Sequence, residues 1–344
     1  MTFVPSMAVS RLDGQVDSIA LGHPVLDEYL VFIGARARPN TWLAIATDMK
    51  VFFSVVHKDP AEVTTADVFT FLAAQRVPRY GDNIVRLEDR ELGLAFRTIA
   101  RRLSTMRGLY AYLVGRGDAG VAINPVPGGL AVRRPRTGQA KRATPLIRTP
   151  RTLPRVLSPN EVDSLVAALR RHRDQAMVEA MVLGGLRRCE VLGLRFADID
   201  AGQQRVFIAD GKGGRQRIVP ISRRFFDTLA RYLERERPQS AIAEHVFVVL
   251  KGPRRGEALS PSGLDQILKS ARTRAGIDRA SCHQLRHTCF TRLREAGMAL
   301  EAIQAQAGHA SIETTRLYLH LANDWLAGEY LRAAELIEAQ VAAS

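Results

Sequence analysis

Apolar residues recur at steps of three and four along most of this chain, the spacing that lines one face of an α-helix. In the first third, Leu26, Tyr29, Leu30 and Ile33, then Trp42, Ile45, Met49, Phe52 and Phe53, predict two helices within residues 24–56, interrupted at 36–40. Thr64 or Thr65 caps a third helix carrying Val68, Phe69, Phe71 and Leu72. Residues 77–91 are polar and hold Pro78 and Gly81, so they read as a loop. A further helix over 94–113 presents Ile99, Leu103, Met106, Tyr110 and Leu113 as its apolar stripe. Residues 1–20 are of mixed character and are expected to be poorly ordered.

Past the middle of the chain, Ser158-Pro159-Asn160-Glu161 has the form of a helix start, with cap, first-turn proline and capping-box glutamate. Val162, Leu165, Val166 and Leu169 continue it, and a second helix covers 174–183. The period then shortens to two. Residues 205–208 and 217–221 predict a β-hairpin around Gly211-Lys212-Gly213-Gly214, and 245–250 predict another short strand. Helical spacing returns over 261–275, again with Leu285, Cys289, Leu293 and Ala296, and over 312–319 behind Ser311. An amphipathic tail follows Asn323, with Trp325, Leu326, Tyr330, Leu331 and Ile337. The predicted class is mainly α with a small β-sheet.

At 344 residues the chain is too long for one ordinary core and implies two domains. Its net charge of +14 favours a polyanionic partner, and the distribution sharpens that inference. Arg97, Arg101, Arg102 and Arg107 lie off the apolar stripe of their helix, with no carboxylate between them to relieve the repulsion, which predicts a face turned to phosphates. Between Arg133 and Arg155 stand eight basic residues, four prolines and no acid. Such a segment stays extended, and Arg133, Arg134, Arg136, Lys141 and Arg142 are candidate contacts to a nucleic-acid backbone. Cys189, Cys282 and Cys289 offer no paired framework, which suits a reducing compartment. Cys282, His283, His287 and Cys289 lack the two-pair spacing of a zinc site, so no metal is expected. No apolar run of 18 residues and no secretory leader are present, which predicts a cytoplasmic protein, nucleoid-associated in a prokaryote.

Candidate chemistry gathers late in the chain. His283 and Arg286, three apart on a predicted helix, point together as donors suited to phosphate oxygens, away from the core stripe. Arg187 and Glu190 have the same spacing. On local grounds a surface ion pair and a carboxylate orienting an arginine toward phosphate are equally good readings. Lys212 sits at a glycine-rich hairpin tip that lacks the spacing of a nucleotide-binding loop. Gly308-His309 opens the last short helix and Tyr318 closes it, and a tyrosine attacks well only beside groups that take its proton and stabilise charge on its target.

Taken together, Gly-Leu-Arg187-x-x-Glu190, Gly-Lys212-Gly-Gly, His283-x-Leu-Arg286-His287 and Gly-His309-x-Ser-Ile-x-Thr-Thr-x-x-Tyr318 resemble the signature of the tyrosine recombinases, the phage-integrase or Xer-like family. One departure is Ala307, where many members carry leucine. The resemblance implies an N-terminal helical, SAM-like core-binding domain and an α+β catalytic domain. The corresponding boundaries are a flexible start at 1–20, core-binding domain at 21–130, basic linker at 131–156, catalytic domain at 157–322 and a C-terminal helix at 323–344 exchanged between protomers. It also implies roles: Tyr318 as nucleophile, Arg187 and Arg286 as a clamp on the non-bridging oxygens, and His309 bonded to the same phosphate. His283 would assist the tyrosine proton and Lys212 would protonate the leaving oxygen, with Glu190 in support and no metal or ATP. Implied partners are double-stranded DNA, a tetramer on two DNA sites and an accessory bending or directionality factor. Rival readings are a type IB topoisomerase-like enzyme and a DNA-binding protein without catalysis. Tyr330 is rejected as nucleophile, since it lies 21 residues past His309 on the tail.

Overall fold

The computed structural model describes residues 2–12, 15–76, 93–129, 145–148, 155–209, 216–241, 243–308 and 315. The chain divides into two compact units, Met1–Arg151 and Thr152–Ser344.

The first unit is mostly helical. Helices α1 (Pro24–Gly34), α2 (Pro39–Val56), α3 (Thr65–Arg76) and α4 (Phe96–Arg116) enclose a core that includes Phe52, Phe53, Phe71, Met106 and Tyr110, all fully buried. Prolines open α1 and α2, where a missing N–H costs nothing. Gly117, at φ 76°, ends α4 in the left-handed conformation that glycine adopts without penalty. The buried Tyr110 hydroxyl donates to the Pro60 carbonyl at 3.1 Å, which satisfies the polar end of an otherwise apolar side chain.

The expectation of a poorly ordered start is corrected here. Residues Ala8–Leu12 (β1) and Gln15–Ala20 (β2) form an antiparallel pair, with Ala8 opposite Ala20 and a register shift between Ser10 and Arg11. Both strands are largely exposed, so alternation is weak in the sequence. Ile19 and the following Leu21 supply the anchor by entering the core. In the linker, Leu146 and Ile147 pack against the same core.

The second unit is built around α6 (His172–Val182). Ala176, Met177, Val178, Ala180, Met181 and Val182 are all buried, so the helix is covered all round, as a central helix must be. Helices α8 (Arg223–Arg235) and α10 (Cys282–Glu295) pack on it. Helix α5 (Pro159–Ala167) begins with the capping box predicted from Ser158 and Glu161. Strands β3 (Ile199–Asp200), β4 (Arg205–Ile208) and β5 (Arg217–Pro220) form an antiparallel sheet in that order, with Val206 and Val219 paired and buried. Residues 245–250 are not a strand but carry isolated bridges, Arg195 to His245 and Val248 to Ala258. Their apolar run reflects burial of Val246, Phe247 and Val248 beneath α8, where the Tyr232 hydroxyl donates to the Val246 carbonyl at 3.1 Å. Helices α7 (Arg188–Gly193), α9 (Pro261–Arg274) and α11 (Leu300–Ala307) complete the described part.

Candidate active site

The site is assembled from three segments of the second unit. The first is the turn into α7. Gly185 has φ 69°, and a side-chain carbon placed there would lie 2.4 Å from the Phe290 ring, so both the backbone and the packing require glycine. This tight turn delivers Arg187 to the N-cap of α7. Glu190, one turn on, has no exposed side-chain surface. Its Oε2 accepts from the Arg187 amide at 2.8 Å, and its Oε1 accepts from Arg187 Nη1 at 2.7 Å. Glu190 is therefore a buried partner that directs the half-buried Arg187, and the pair is not a solvated surface bridge.

The second segment is α10. Arg286 has only 3% of its side chain exposed, and its guanidinium lies 4.8 Å from the centre of the Phe290 ring. Helical spacing alone places it off the core stripe, but the Gly185 turn and the end of α11 cover it. It donates to the Gly185 carbonyl, and its Nη2 donates to the Ala307 carbonyl at 2.6 Å.

The third segment is the C-terminus of α11, where helix carbonyls lack intrahelical partners and carry partial negative charge. Arginines fill that role. Arg187 Nη2 donates to the same Ala307 oxygen at 3.1 Å, so a single acceptor draws the two candidate clamp arginines together. Arg217, at the start of β5, donates through Nε to the Gln306 carbonyl at 2.8 Å. Gly308 then ends the helix at φ 61°.

Arg217 also forks onto Glu190, with Nη1 to Oε1 at 2.9 Å and Nη2 to Oε2 at 2.8 Å. Burial pushes the Glu190 carboxyl up, but the Arg217 fork, the Arg187 amide and the Arg187 guanidinium outweigh it and hold the group at about 2. One carboxylate thus sits among three guanidinium groups, since Arg286 Nη1 approaches to 3.9 Å, and the cluster keeps an excess of positive charge.

His283 is exposed at the first turn of α10 and meets the buried His287 with Nε2 to Nε2 at 2.8 Å. Burial, with His283 and Arg286 nearby, pushes the His287 imidazole down to about 4. His287 is therefore neutral at pH 7, and one of the two Nε2 atoms donates to the other.

The structure thus brings Arg187, Glu190 and Arg286 together, with His283 one turn before Arg286 on α10 and in contact with His287. Lys212, His309 and Tyr318 lie outside the described residues, as do Arg133, Arg134, Arg136, Lys141 and Arg142. In the first unit, Arg97 is exposed, but its neighbours on α4 also have internal partners. The buried Asp48 accepts from Arg101 Nη1 at 2.5 Å, Arg102 Nε stands 3.7 Å from Asp48, and Arg102 also donates to Gln75. Arg107 donates to the Pro127 carbonyl. The countercharge comes from another helix, where spacing along α4 could not reveal it. Arg217 has no site role in the sequence reading, and His287 enters it only as a rejected zinc ligand and as the end of the His283-x-Leu-Arg286 motif. Arg217 had one available signal, a charged residue at the foot of a hairpin strand.

The Phage integrase family model matches residues 155–324. Tyrosine recombinase XerC of Roseiflexus castenholzii is 31% identical over 297 residues, covering 82% of this chain and 83% of that protein. Tyrosine recombinase XerC 2 of Ralstonia nicotianae is 37% identical over 188 residues, covering 53% of this chain and 54% of that protein. Two solved structures share the fold. The Tn1549 transposon integrase in complex with transposon right end DNA has a TM-score of 0.65 at 16% identity, covering 90% of this chain and 99% of that one. The XerH site-specific recombinase bound to palindromic difH substrate has a TM-score of 0.63 at 20% identity, covering 90% of this chain and 84% of that one. The chain belongs to the tyrosine recombinase family, the phage-integrase group of enzymes that cut and rejoin DNA at specific sites.

Proposed function

We propose that this chain cuts and rejoins duplex DNA at a specific sequence through a 3′-phosphotyrosyl intermediate on Tyr318. The observation that carries the reading is the convergence of Arg187 and Arg286 on one oxygen, the Ala307 carbonyl, at 3.1 and 2.6 Å. Two guanidinium groups able to meet at one acceptor suit the non-bridging oxygens of a five-coordinate phosphorus, where negative charge grows in the transition state. His309 adds a donor to the same phosphate. His283, backed by neutral His287, assists removal of the Tyr318 proton, and Lys212 delivers a proton to the departing 5′-oxygen. Breaking the P–O5′ bond as the P–O(Tyr) bond forms conserves the phosphodiester, and attack by a 5′-hydroxyl reverses the step. Rejoining therefore needs no ATP.

Residues 21–130 act as the core-binding domain, 131–156 as a basic strap along the backbone, 157–322 as the catalytic domain, and 323–344 as a tail helix exchanged between protomers. Exposed Arg97 and Arg101 are the best candidates on α4 for phosphate contacts. Strand exchange proceeds in a tetramer on two DNA sites, in the cytoplasm, with an accessory bending or directionality factor. The test uses phosphorothiolate duplexes drawn from DNA flanking the gene. A covalent adduct should form without added metal and vanish in Tyr318→Phe. Persistence of the adduct in that variant refutes the nucleophile. Joined products between two DNA molecules, lost on deleting residues 323–344, separate this reading from a relaxing topoisomerase.

A further inference from the structure

We infer that Arg217 is a positioning residue that keeps Arg187 aimed at the scissile phosphate by occupying the fork of Glu190 in its place. The inference rests on the proposed clamp role of Arg187. An arginine beside a lone buried carboxylate ordinarily takes it bidentately, with both terminal nitrogens turned to the two oxygens. Here Arg187 gives Glu190 one guanidinium nitrogen only, Nη1 at 2.7 Å, and turns Nη2 to the Ala307 carbonyl beside Arg286. The second place on the carboxylate is filled. Arg217 takes both oxygens at 2.9 and 2.8 Å, and the Arg187 amide occupies Oε2 as well, so Glu190 holds four donors.

Arg217 is itself fixed. Its side chain is 8% exposed, and its Nε donates to the Gln306 carbonyl, the residue before the shared acceptor. Gly308 completes the fit, because a side-chain carbon there would stand 3.1 Å from Arg217 Cδ. One side chain therefore ties β5, which begins five residues after Lys212 in the sequence, to the α7 carboxylate and to the end of α11, three residues before His309. Removing it leaves Glu190 with Arg187 as its nearest remaining guanidinium. Arg187 would then swing into the bidentate arrangement and withdraw Nη2 from the oxygen it shares with Arg286.

The test compares wild type with Arg217→Met and Arg217→Lys by single-turnover adduct formation on a duplex that wild type cleaves. The scissile linkage is prepared both as a phosphodiester and as a neutral methylphosphonate. Both variants should bind the duplex as wild type does and cleave the phosphodiester about 10- to 100-fold more slowly, the size of effect that slight misalignment produces. Lysine should not rescue, since it keeps the charge but not the fork. On the methylphosphonate, which lacks one charged oxygen to clamp, the defect should shrink at least several-fold. Adding Glu190→Gln to Arg217→Met should recover part of the rate, because the carboxylate that captures Arg187 is gone. Wild-type rates in both variants would overturn the inference. So would equal losses on the two linkages, or a double variant worse than Arg217→Met, either of which would mark Arg217 as merely structural. A wild-type cleavage rate in Arg187→Met on the phosphodiester would instead refute the clamp reading beneath it.

Discussion

Glu190→Gln provides a quantitative test of the charge cluster. The carboxyl sits at about 2 in the folded chain against an ordinary 4.5, a shift worth about 3 kcal/mol at neutral pH. Removing one partner of a buried ion pair costs a similar ~3–5 kcal/mol. We therefore expect Glu190→Gln to destabilise the second unit by about 3 kcal/mol at pH 7. The pH dependence follows from the depressed carboxyl: its stabilisation is complete above about 4.5 and is lost as pH falls toward about 2. Glutamine does not titrate, so the gap between the two proteins should narrow by about 2 kcal/mol between pH 6 and pH 3. Because the chain has two units, the assay must report on each. Hydrogen peroxide oxidation of methionine as a function of urea does so, with fully buried Met177 and Met181 reporting on the second unit and Met49 and Met106 on the first. A gap that stays constant down to pH 3, or that appears at Met49 and Met106 as well, would refute the assignment of Glu190 as the counterion of this cluster.

Other outcomes follow from the same geometry. Gly185→Ala should destabilise the second unit and slow cleavage more than it weakens DNA binding, because φ 69° is strained for alanine and the new carbon meets Phe290; normal single-turnover cleavage would contradict this. His287→Gln should flatten the acid limb of stability between about pH 6.5 and pH 4. The depressed imidazole favours folding above 6.5, and that advantage, about 3 kcal/mol, fades as pH falls through about 4. The same methionine-oxidation titration checks it. On α4, Arg97→Ala should lower the salt slope of DNA binding by about one. Arg102→Ala should mainly expose Met49 and Met106 at lower urea, since its side chain is 12% exposed and stands beside buried Asp48.

The sequence made the helices legible wherever burial was one-sided, as in α4, whose predicted stripe of Ile99, Leu103, Met106, Tyr110 and Leu113 is buried throughout. It also carried the capping box at Ser158 and the β4–β5 hairpin, because those signals are local. The β1–β2 pair was not legible, since its strands are mostly solvated and Ile19 holds them through distant packing. Residues 245–250 misled for the opposite reason: a buried apolar run looks like a strand whether or not it pairs. In the site, Arg187, Glu190, His283 and Arg286 stand in the motifs that carry the resemblance to tyrosine recombinases, while local spacing left Arg187 and Glu190 undecided. The partnership of Arg217 with Glu190 joins positions 27 apart, and Ala307 acts through its carbonyl, which no side-chain motif encodes.

That carbonyl explains how a buried cationic site can exist before DNA arrives. Three guanidinium groups around one carboxylate would be costly to bury, because each unpaired charge loses its hydration. The end of α11 offsets this with two carbonyls that carry the helix's residual negative charge, Gln306 for Arg217 and Ala307 for Arg187 and Arg286. A carbonyl dipole is a weaker partner than a second carboxylate would be. An ionised phosphate oxygen, which forms charge-assisted bonds roughly twice as strong, can therefore compete for the same donors without first breaking a full ion pair. Had an acid side chain stood where the Ala307 carbonyl does, the charge of the proposed clamp would be neutralised in the free protein. The structure ties Arg217 to Glu190 and leaves Arg187 and Arg286, the arginines of the proposed clamp, on a carbonyl that the phosphate of the proposed reaction would displace.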